Sequence, residues 1–394
     1  MAERLSNLGY ALFGKEPTPG TAVTPSTSVL LYDQTLMTQL NMVDLDPIAQ
    51  NKAATYTTIP GQRDHKGDFT IAAEPNTTAI VADMLLTKTS TSGGAGVFTH
   101  LFQPTGDSNS YTVDFSTGNV VMRFMGVKAS KLAQNWNKTE LQWKVSVSAL
   151  GSFLGRSLAG TPTGTGTFTV ALDTVYDPNP TNGLVMGDLI RFYKKTDGST
   201  IDATVATIVD GQHITTSTDV STLGAGDMVY LRPAVVANSF LPSFIWPKTQ
   251  FQFASTAATA LTATQVRVET GSLIDMTHSF ENDSGAMRSG GFDPAALVRT
   301  TADASLTVKK FFDKPDDIQA MQKTAQGAAV VRMLAGTTNQ YEARLTLNAV
   351  VVDGIPATLK TKGITYSELK YHIDYNQTDG QNYSFLVTNA LPTI

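Results

Sequence analysis

Cysteine is absent from all 394 residues. That removes disulfides, thiolate metal sites and cysteine nucleophiles together. Small secreted scaffolds are usually disulfide-rich, so the absence points to synthesis inside a cell. Charge is scarce too: Asp, Glu, Lys and Arg make up 16% of the chain, against roughly 25% in a typical soluble protein. Thr, Ser and Gly fill the gap, as they would in a β-rich fold with a Thr-coated surface or in a surface covered by copies of itself. The net charge of -5 lacks the basic footprint of a nucleic-acid binder. No run approaches the roughly 18 apolar residues of a membrane span. The opening MAERLSNLGYALFG has no apolar core of signal-peptide length, so no membrane insertion is expected.

Catalytic and ligand motifs are missing as well. The five histidines, His65, His100, His213, His278 and His372, form no helical i, i+4 pair and no HExxH. His65 lies in GQRDHKGD, the densest charge cluster, which reads as a solvated loop of turn formers. GTPTGTGT imitates a phosphate loop but has no following Lys to meet the phosphates. DYNQTDG (374–380) imitates a calcium loop, but its Gly stands seventh instead of sixth and no Glu closes it; a turn is the better reading. There is no GxSxG elbow. No enzyme, metal site or cofactor is expected. Of the tryptophans, Trp143 shares a strand face with Leu141 and Val145 and reads as core. Trp246, in SFIWPKTQF, is open between core and interface anchor.

What is present is alternation. YTVDFS, VVMRFMGV, LQWKVSVSAL, ASLTVKKFF, YEARLTLNAVVV and YSFLVTNAL all run with period two between Gly, Asn, Asp or Pro, as strands do. Only two segments read as helices: PNTTAIVADMLL, capped by Asn76 or Thr77, and DKPDDIQAMQKTAQG, with Pro315 near its start and Gly327 as its stop. Each follows a strand that ends in a proline, GDFTIAAEP or ASLTVKKFFDKP, and precedes more strands. KTELQWKVSVSAL (138–150) also matches ITYSELKYHIDYN (364–376). Together these predict an internal duplication, with copy one at 1–157 and copy two at 240–394. Residues 158–239 open with the flexible GTPTGTGTF and hold two Gly-Asp turns, GDLIRFY and GDMVYLRP, each feeding a short strand. This region reads as an inserted β-barrel or β-sandwich of four to six strands.

Two stretches fit no element. Residues 1–28 contain GKEPTPGTAVTPST, which is a disordered tail, a rigid linker or an arm that docks on another subunit. Residues 41–67 have no clear periodicity, yet carry Met42, Val43, Leu45, Ile48, Tyr56 and Ile59. So long a loop is usually functional, and so many apolar residues predict that it lies against something.

The segment GKEPTPGTAVTPSTSVLLYDQTL resembles the N-terminal signature of the tail tube (major tail) proteins of long-tailed bacteriophages. KGDFTIAAEPNTTAIVADMLL with FTHLFQP, and FMGVKASKLAQNW, follow in the family's order. The resemblance covers copy one well and copy two more loosely, and the inserted module lies outside it. It implies a mainly β fold with two short helices: a duplicated tail-tube-type β-sandwich or barrel plus the small inserted module. It implies a structural virion protein whose rings stack into the tail tube, the conduit for genome delivery. Partners would be further copies of the chain, a tape-measure protein and tail-end proteins, with DNA passing through the lumen without specific binding. Assembly in the host bacterial cytoplasm would place it in the virion tail. Family members with one tube domain form six-subunit rings, so a duplicated chain would form a trimeric pseudo-hexamer, with a hexamer as the alternative. The expected interface is the arm (Gly14, Lys15, Glu16, Pro17, Pro19, Gly20, Val23, Pro25) and the long loop (Met42, Val43, Leu45, Ile48, Tyr56, Ile59). The prolines would hold the arm extended before docking, sparing roughly 1–2 kcal/mol of chain entropy per residue, while Gly14 and Gly20 allow turns or close approach. Alternatives are another tail, neck or decoration component, or a carbohydrate-binding β-protein.

Overall fold

The computed structural model describes residues 9–45, 57–135, 140–175, 177–234, 240–266, 268, 272–281, 293–311, 326–354, 357–358 and 366–394. Its architecture is mainly β and antiparallel, of sandwich type, with two α-helices among the described residues. The first part runs β1 (Tyr10–Lys15), β2 (Thr27–Val29), β3 (Leu31–Gln34), β4 (Met37–Leu45), β5 (Thr57–Ala72), α1 (Pro75–Leu85), β6 (Thr87–Gly94), β7 (Val97–Gln103), β8 (Tyr111–Ser116), β9 (Val121–Asn135), β10 (Gln142–Ser148) and β11 (Gly151–Phe153). The middle part holds β12 (Arg156–Ser157), β13 (Phe168–Ala171), β14 (Leu189–Tyr193), β15 (Thr200–Thr204), β16 (Thr207–Ile208), β17 (His213–Thr216) and β18 (Met228–Leu231). The last part runs β19 (Thr249–Ala254), α2 (Ala257–Ala260), β20 (Leu273–Glu281), β21 (Val298–Phe311), β22 (Gly327–Ala335), β23 (Tyr341–Gly354), β24 (Ala357–Thr358), β25 (Tyr366–Ile373) and β26 (Tyr383–Asn389).

The first and last parts repeat one pairing scheme. In the first, β1 pairs β8, β8 pairs β9, β9 pairs β10 and β11, and β10 pairs β5, which forms a hairpin with β4. In the last, β19 pairs β22, β22 pairs β23, β23 pairs β25 and β26, and β25 pairs β21, which forms a hairpin with β20. The irregularities coincide. β9 gains a residue between Val127 and Phe124 opposite β8, as β23 does between Val350 and Leu347 opposite β22. A second bulge lies between Ala129 and Lys131 opposite β10, and between Val352 and Gly354 opposite β25. A third lies on β5 between Arg63 and Pro60 opposite β4, and on β21 between Thr301 and Arg299 opposite β20. Bulges are retained features of related folds. Their coincidence fixes the alignment residue by residue, since a slip of one would misplace all of them.

This alignment corrects the sequence match between 138–150 and 364–376. The strands are the right ones, but Gln142 corresponds to Tyr366 and Val145 to Leu369, the residues opposite Ala72 and Phe69 in one copy and Phe311 and Val308 in the other. Pairing Glu140-Leu141 with Glu368-Leu369 slips the register by four, an even shift that keeps the buried face and so looks right in sequence. The copies are not separate domains. β9 pairs β20 from Leu273↔Asn135 to Thr277↔Lys131, β7 pairs β26, and one hydrophobic core runs through both halves. The hairpin of β6 and β7 has no counterpart in the second copy among the described residues.

Local chemistry explains the elements. Pro75 has no N–H to satisfy and begins α1, while the Glu74 carboxylate accepts from the Thr77 N–H at 2.9 Å. The cap is therefore Glu74, not Asn76 or Thr77: proline suits the first helical position and leaves the residue before it to cap. α1 is buried nearly all round, with Trp143 donating from Nε1 to Thr78 Oγ1 at 3.0 Å and lying edge-on to Phe385. Trp143 is thus core, as expected. Trp246 packs half-buried beside Phe251 in its own chain. The helix expected in DKPDDIQAMQKTAQG lies almost wholly outside the described residues; Gly327, its expected stop, begins β22.

The middle part has its own core, into which Val121 and Phe153 of the first copy project. Its two Gly-Asp turns occur as expected: Gly187 and Gly226 have φ of 92° and 85°, and β14 pairs β18. GTPTGTGTF, by contrast, is not a flexible linker. Thr163 and Thr169 exchange backbone hydrogen bonds of 3.0 and 2.7 Å across a turn that uses positive φ at Gly164 and Gly166. Seen in isolation, Gly and Thr there read as a linker; their backbone pairing is invisible in composition. DYNQTDG is a turn between β25 and β26, with Asn376 Oδ1 accepting from the N–H groups of Thr378 and Asp379.

A buried ion cluster locks the module to the first copy. Arg123 of β9 donates to Asp114 of β8 at 2.7 and 2.9 Å, and to Asp188 beside β14. Burial alone would lower the guanidinium's proton affinity, but the two carboxylates raise it above its ordinary value. Arg123→Ala leaves both carboxylates buried without their cation, an expected loss of about 3–5 kcal/mol. Denaturant unfolding reads the loss, and limited proteolysis should show earlier cleavage in the module.

The seam between the copies contains His100 of β7, with Nδ1 2.9 Å from Thr91 Oγ1 and Nε2 2.9 Å from the Leu391 carbonyl. Burial pulls this imidazole below its usual 6.5, and hydrogen bonds to Leu391 and Asn389 only partly oppose it. Lys88 and Asp83 act on it in opposite directions. Below about pH 6.5 the unfolded chain takes up a proton that the folded chain refuses, so stability is full above that value and falls as the pH drops toward the lower folded pKa. The expected slope is at most about 1.4 kcal/mol per pH unit. Denaturant midpoints at pH 7.5 and 5.5 should differ more for the natural chain than for His100→Gln.

Candidate assembly surface

The arm and the long loop, the two stretches expected to meet neighbours, turn out differently. Tyr10–Lys15 of the arm is a core strand, with Ala11, Leu12 and Phe13 buried. Glu16 is buried just beyond it. Its carboxylate accepts from the Ser110 and Thr112 hydroxyls and from the N–H groups of Gly20 and Gly126, all at 2.8 Å. Gly126 lies in the bulge of β9 with φ of 65°. Lys15 pairs with buried Asp83 at 2.8 Å, and the Val23 N–H donates to Thr112 Oγ1. Pro25 is buried, and a Cβ on Gly14 would meet Val23 Cγ2 at 2.9 Å and Pro25 Cα at 3.0 Å. Gly20 turns with φ of 81°.

The arm from residue 10 onward is therefore neither a tail nor a free docking arm: it folds back on its own chain. Composition could not show this, because three of Glu16's four partners, Ser110, Thr112 and Gly126, lie far along the chain. Of the residues expected to dock there, Lys15, Pro17 and Pro19 are exposed.

Residues 41–67 are not a loop where they are described. They form most of a hairpin, β4 with β5, whose paired residues run from Met37↔Lys66 to Leu45↔Thr57. Periodicity failed because the hairpin buries little of either face. Met37 is 58% exposed and Met42 54%, and Leu40, Val43 and Ile59 are exposed beside them. Of the six residues singled out in this stretch, Met42, Val43 and Ile59 lie on this surface and Leu45 ends β4. Ile48 and Tyr56 lie outside the described residues. Sequence reasoning missed Met37 and Leu40, although TLMTQLNMV shows apolar residues too closely spaced for one buried face. Single exposed apolar residues are ordinary, but five along one strand pair make it a candidate interaction surface.

At the base of the hairpin stands the cluster that GQRDHKGD placed in solvent. His65 is instead buried on β5, with Nδ1 2.9 Å from Thr38 Oγ1 and Nε2 3.0 Å from Asp293 Oδ1, and Thr38 Oγ1 lies 2.7 Å from Ser152 Oγ. Turn-forming neighbours misled the reading; the strand carries His65 to the side packed on β11. Asp293 also pairs with Arg63 at 3.6 Å. A cleft of about 280 Å³ opens between this cluster and the module, lined by Thr38, Arg63, Ser152, Arg156, Asp177 and Met228 among others. The order hydroxyl, imidazole, carboxylate resembles a relay, but its hydrogen bonds tie β4, β5 and β11 to Asp293 of the second copy. No cluster of three or more His, Asp or Glu suited to a metal occurs among the described residues. No helix among them is long and apolar enough to cross a membrane.

Set against models of known protein families and against curated protein sequences, the chain finds no match.

Buried and exposed residues of the arm respond differently to substitution. Glu16→Ala strands three buried donors and the part-buried Gly20 N–H and should cost about 3 kcal/mol. Pro17→Ala and Pro19→Ala should stay within roughly 0.5 kcal/mol of the natural chain. Equilibrium unfolding of the three variants measures the contrast.

Proposed function

We propose that this chain is a structural subunit that assembles with further copies of itself into stacked rings forming a phage tail tube. The observation that carries the reading is the hairpin of β4 and β5: a long strand pair that leaves apolar side chains exposed on both of its faces, towards one end of a chain built from two copies of a strand-sharing unit. Soluble monomers blunt such features with charge, proline or a covering element; a subunit completes them with a neighbour. The resemblance of GKEPTPGTAVTPST and the blocks after it to tail tube proteins names the assembly. Within it, the copies correspond to two successive positions around the ring, so three chains give a pseudo-sixfold ring. The module, an independent core hung on Arg123, decorates the tube without building it. A tape-measure protein and DNA occupy the lumen, tail-end proteins close it, and assembly takes place in the host bacterial cytoplasm before the tail is complete.

Negative-stain microscopy of the concentrated, purified protein tests this. Expected are tubes of stacked rings with threefold symmetry modulated toward sixfold. Isolated single rings would favour a tail terminator or neck component, true sixfold symmetry would remove the pseudo-hexamer, and dispersed monomers with glycan affinity would replace the reading with a carbohydrate-binding one.

A further inference from the structure

We propose that β4 of one chain pairs antiparallel with the β23–β24 strand of a second copy. The register sets Gln39 opposite Gly354, Leu36 opposite Ala357 and Thr35 opposite Thr358. The pairing deepens the ring reading above and rests on it.

The register comes from the internal repeat. The three coincident bulges align β4 with β20, and β9 with β23 and its continuation β24. In the middle of the molecule, β20 is paired on both edges, by β21 on one and by β9 on the other. Its equivalent β4 is paired among the described residues by β5 alone. The later half of β9 likewise has two partners, β10 and β20. Among the described residues, the equivalent stretch of β23 and β24 is paired by β25 on one side, and β22 leaves the other edge after Gly327↔Val350. Each end of the chain therefore holds, among the described residues, one half of the junction that its centre makes whole.

The halves differ, so the contact between copies is head-to-tail, the kind that closes a ring when its rotation divides a full turn. Transferring the central pairs Thr277↔Lys131, Ile274↔Gln134 and Leu273↔Asn135 onto the two ends gives the register stated. Along the same strand, the β4 hairpin exposes Met37, Leu40 and Met42. A strand edge offers unmet backbone donors and acceptors, and a second copy brings the strand that matches them.

The absence of cysteine makes the test clean. Gln39→Cys and Gly354→Cys are introduced together, the assembled protein is oxidised, and chains are resolved on a denaturing gel without reductant while microscopy follows the same samples. Expected are chain-to-chain cross-links ending in a closed species of the ring's size, the three-chain ring proposed above. Paired residues sit within disulfide reach. Thr277→Cys with Lys131→Cys, the central pair, should cross-link within one chain. Val43→Cys with Gly354→Cys, four residues and about 13 Å out of register, should give none.

Mixing the single variants should give only the Gln39→Cys to Gly354→Cys dimer. A dimer of two Gln39→Cys chains would mean a two-fold contact and overturn the pairing. Tubes that form without the cross-link, or with one no stronger than the out-of-register pair, overturn the pairing and leave the ring reading standing. Chains that stay monomeric and uncross-linked overturn both. Should the first double variant not fold, Thr35→Cys with Thr358→Cys reports the same register.

Discussion

The backbone pairing of β9 with β20 is the interaction on which the rest of the molecule depends. It joins the later half of a long, bulged strand in the first copy to the first strand of a hairpin in the second, and it makes one sheet and one core of two repeats. A strand interior to a sheet must find partners on both edges or leave polar backbone groups unmet. The centre of the chain meets that condition within itself. Its two ends, which carry the same strands, meet half of it among the described residues.

Low charge content takes on a different meaning in this light. Several of the charges present are spent inside. Glu16, Asp83, Asp114, Asp188, Arg123 and Lys128 are all buried, and each is engaged. Glu16 ties the arm to β8 and β9, Asp83 ties α1 to Lys15 and Tyr111, and Arg123 ties β8 and β9 to the module. Buried charges of this kind cost desolvation and are weak sources of net stability. What they supply is position, because each side chain has one geometry that satisfies it.

The inserted module shows how a fold accommodates an addition. It enters after β11 and returns along β18, whose Leu231 pairs with Val121 at the start of β9. Its core borrows two apolar residues from the first copy, Val121 and Phe153, and the rest is its own. Neither the repeat's pairing scheme nor its bulges are disturbed, so the module can vary without disturbing the strands proposed to meet neighbouring chains.

The sequence by itself determined the class of fold, most strands, the first helix, the two Gly-Asp turns and the existence of a repeat. All of these follow from local rules: alternation, a proline at a helix start, a glycine at positive φ. It also marked the apolar residues of 41–67 as lying against something, a reading the exposed hairpin leaves for a neighbour to answer. Tertiary structure alone decided that the arm is a core strand, that His65 is buried, that 41–67 holds a hairpin, and that the repeat's true register is four residues from the one the letters suggest. Each of these turns on a partner far away in the chain. A strand's edge and a carboxylate's donors are properties of what comes alongside, and no local pattern records them.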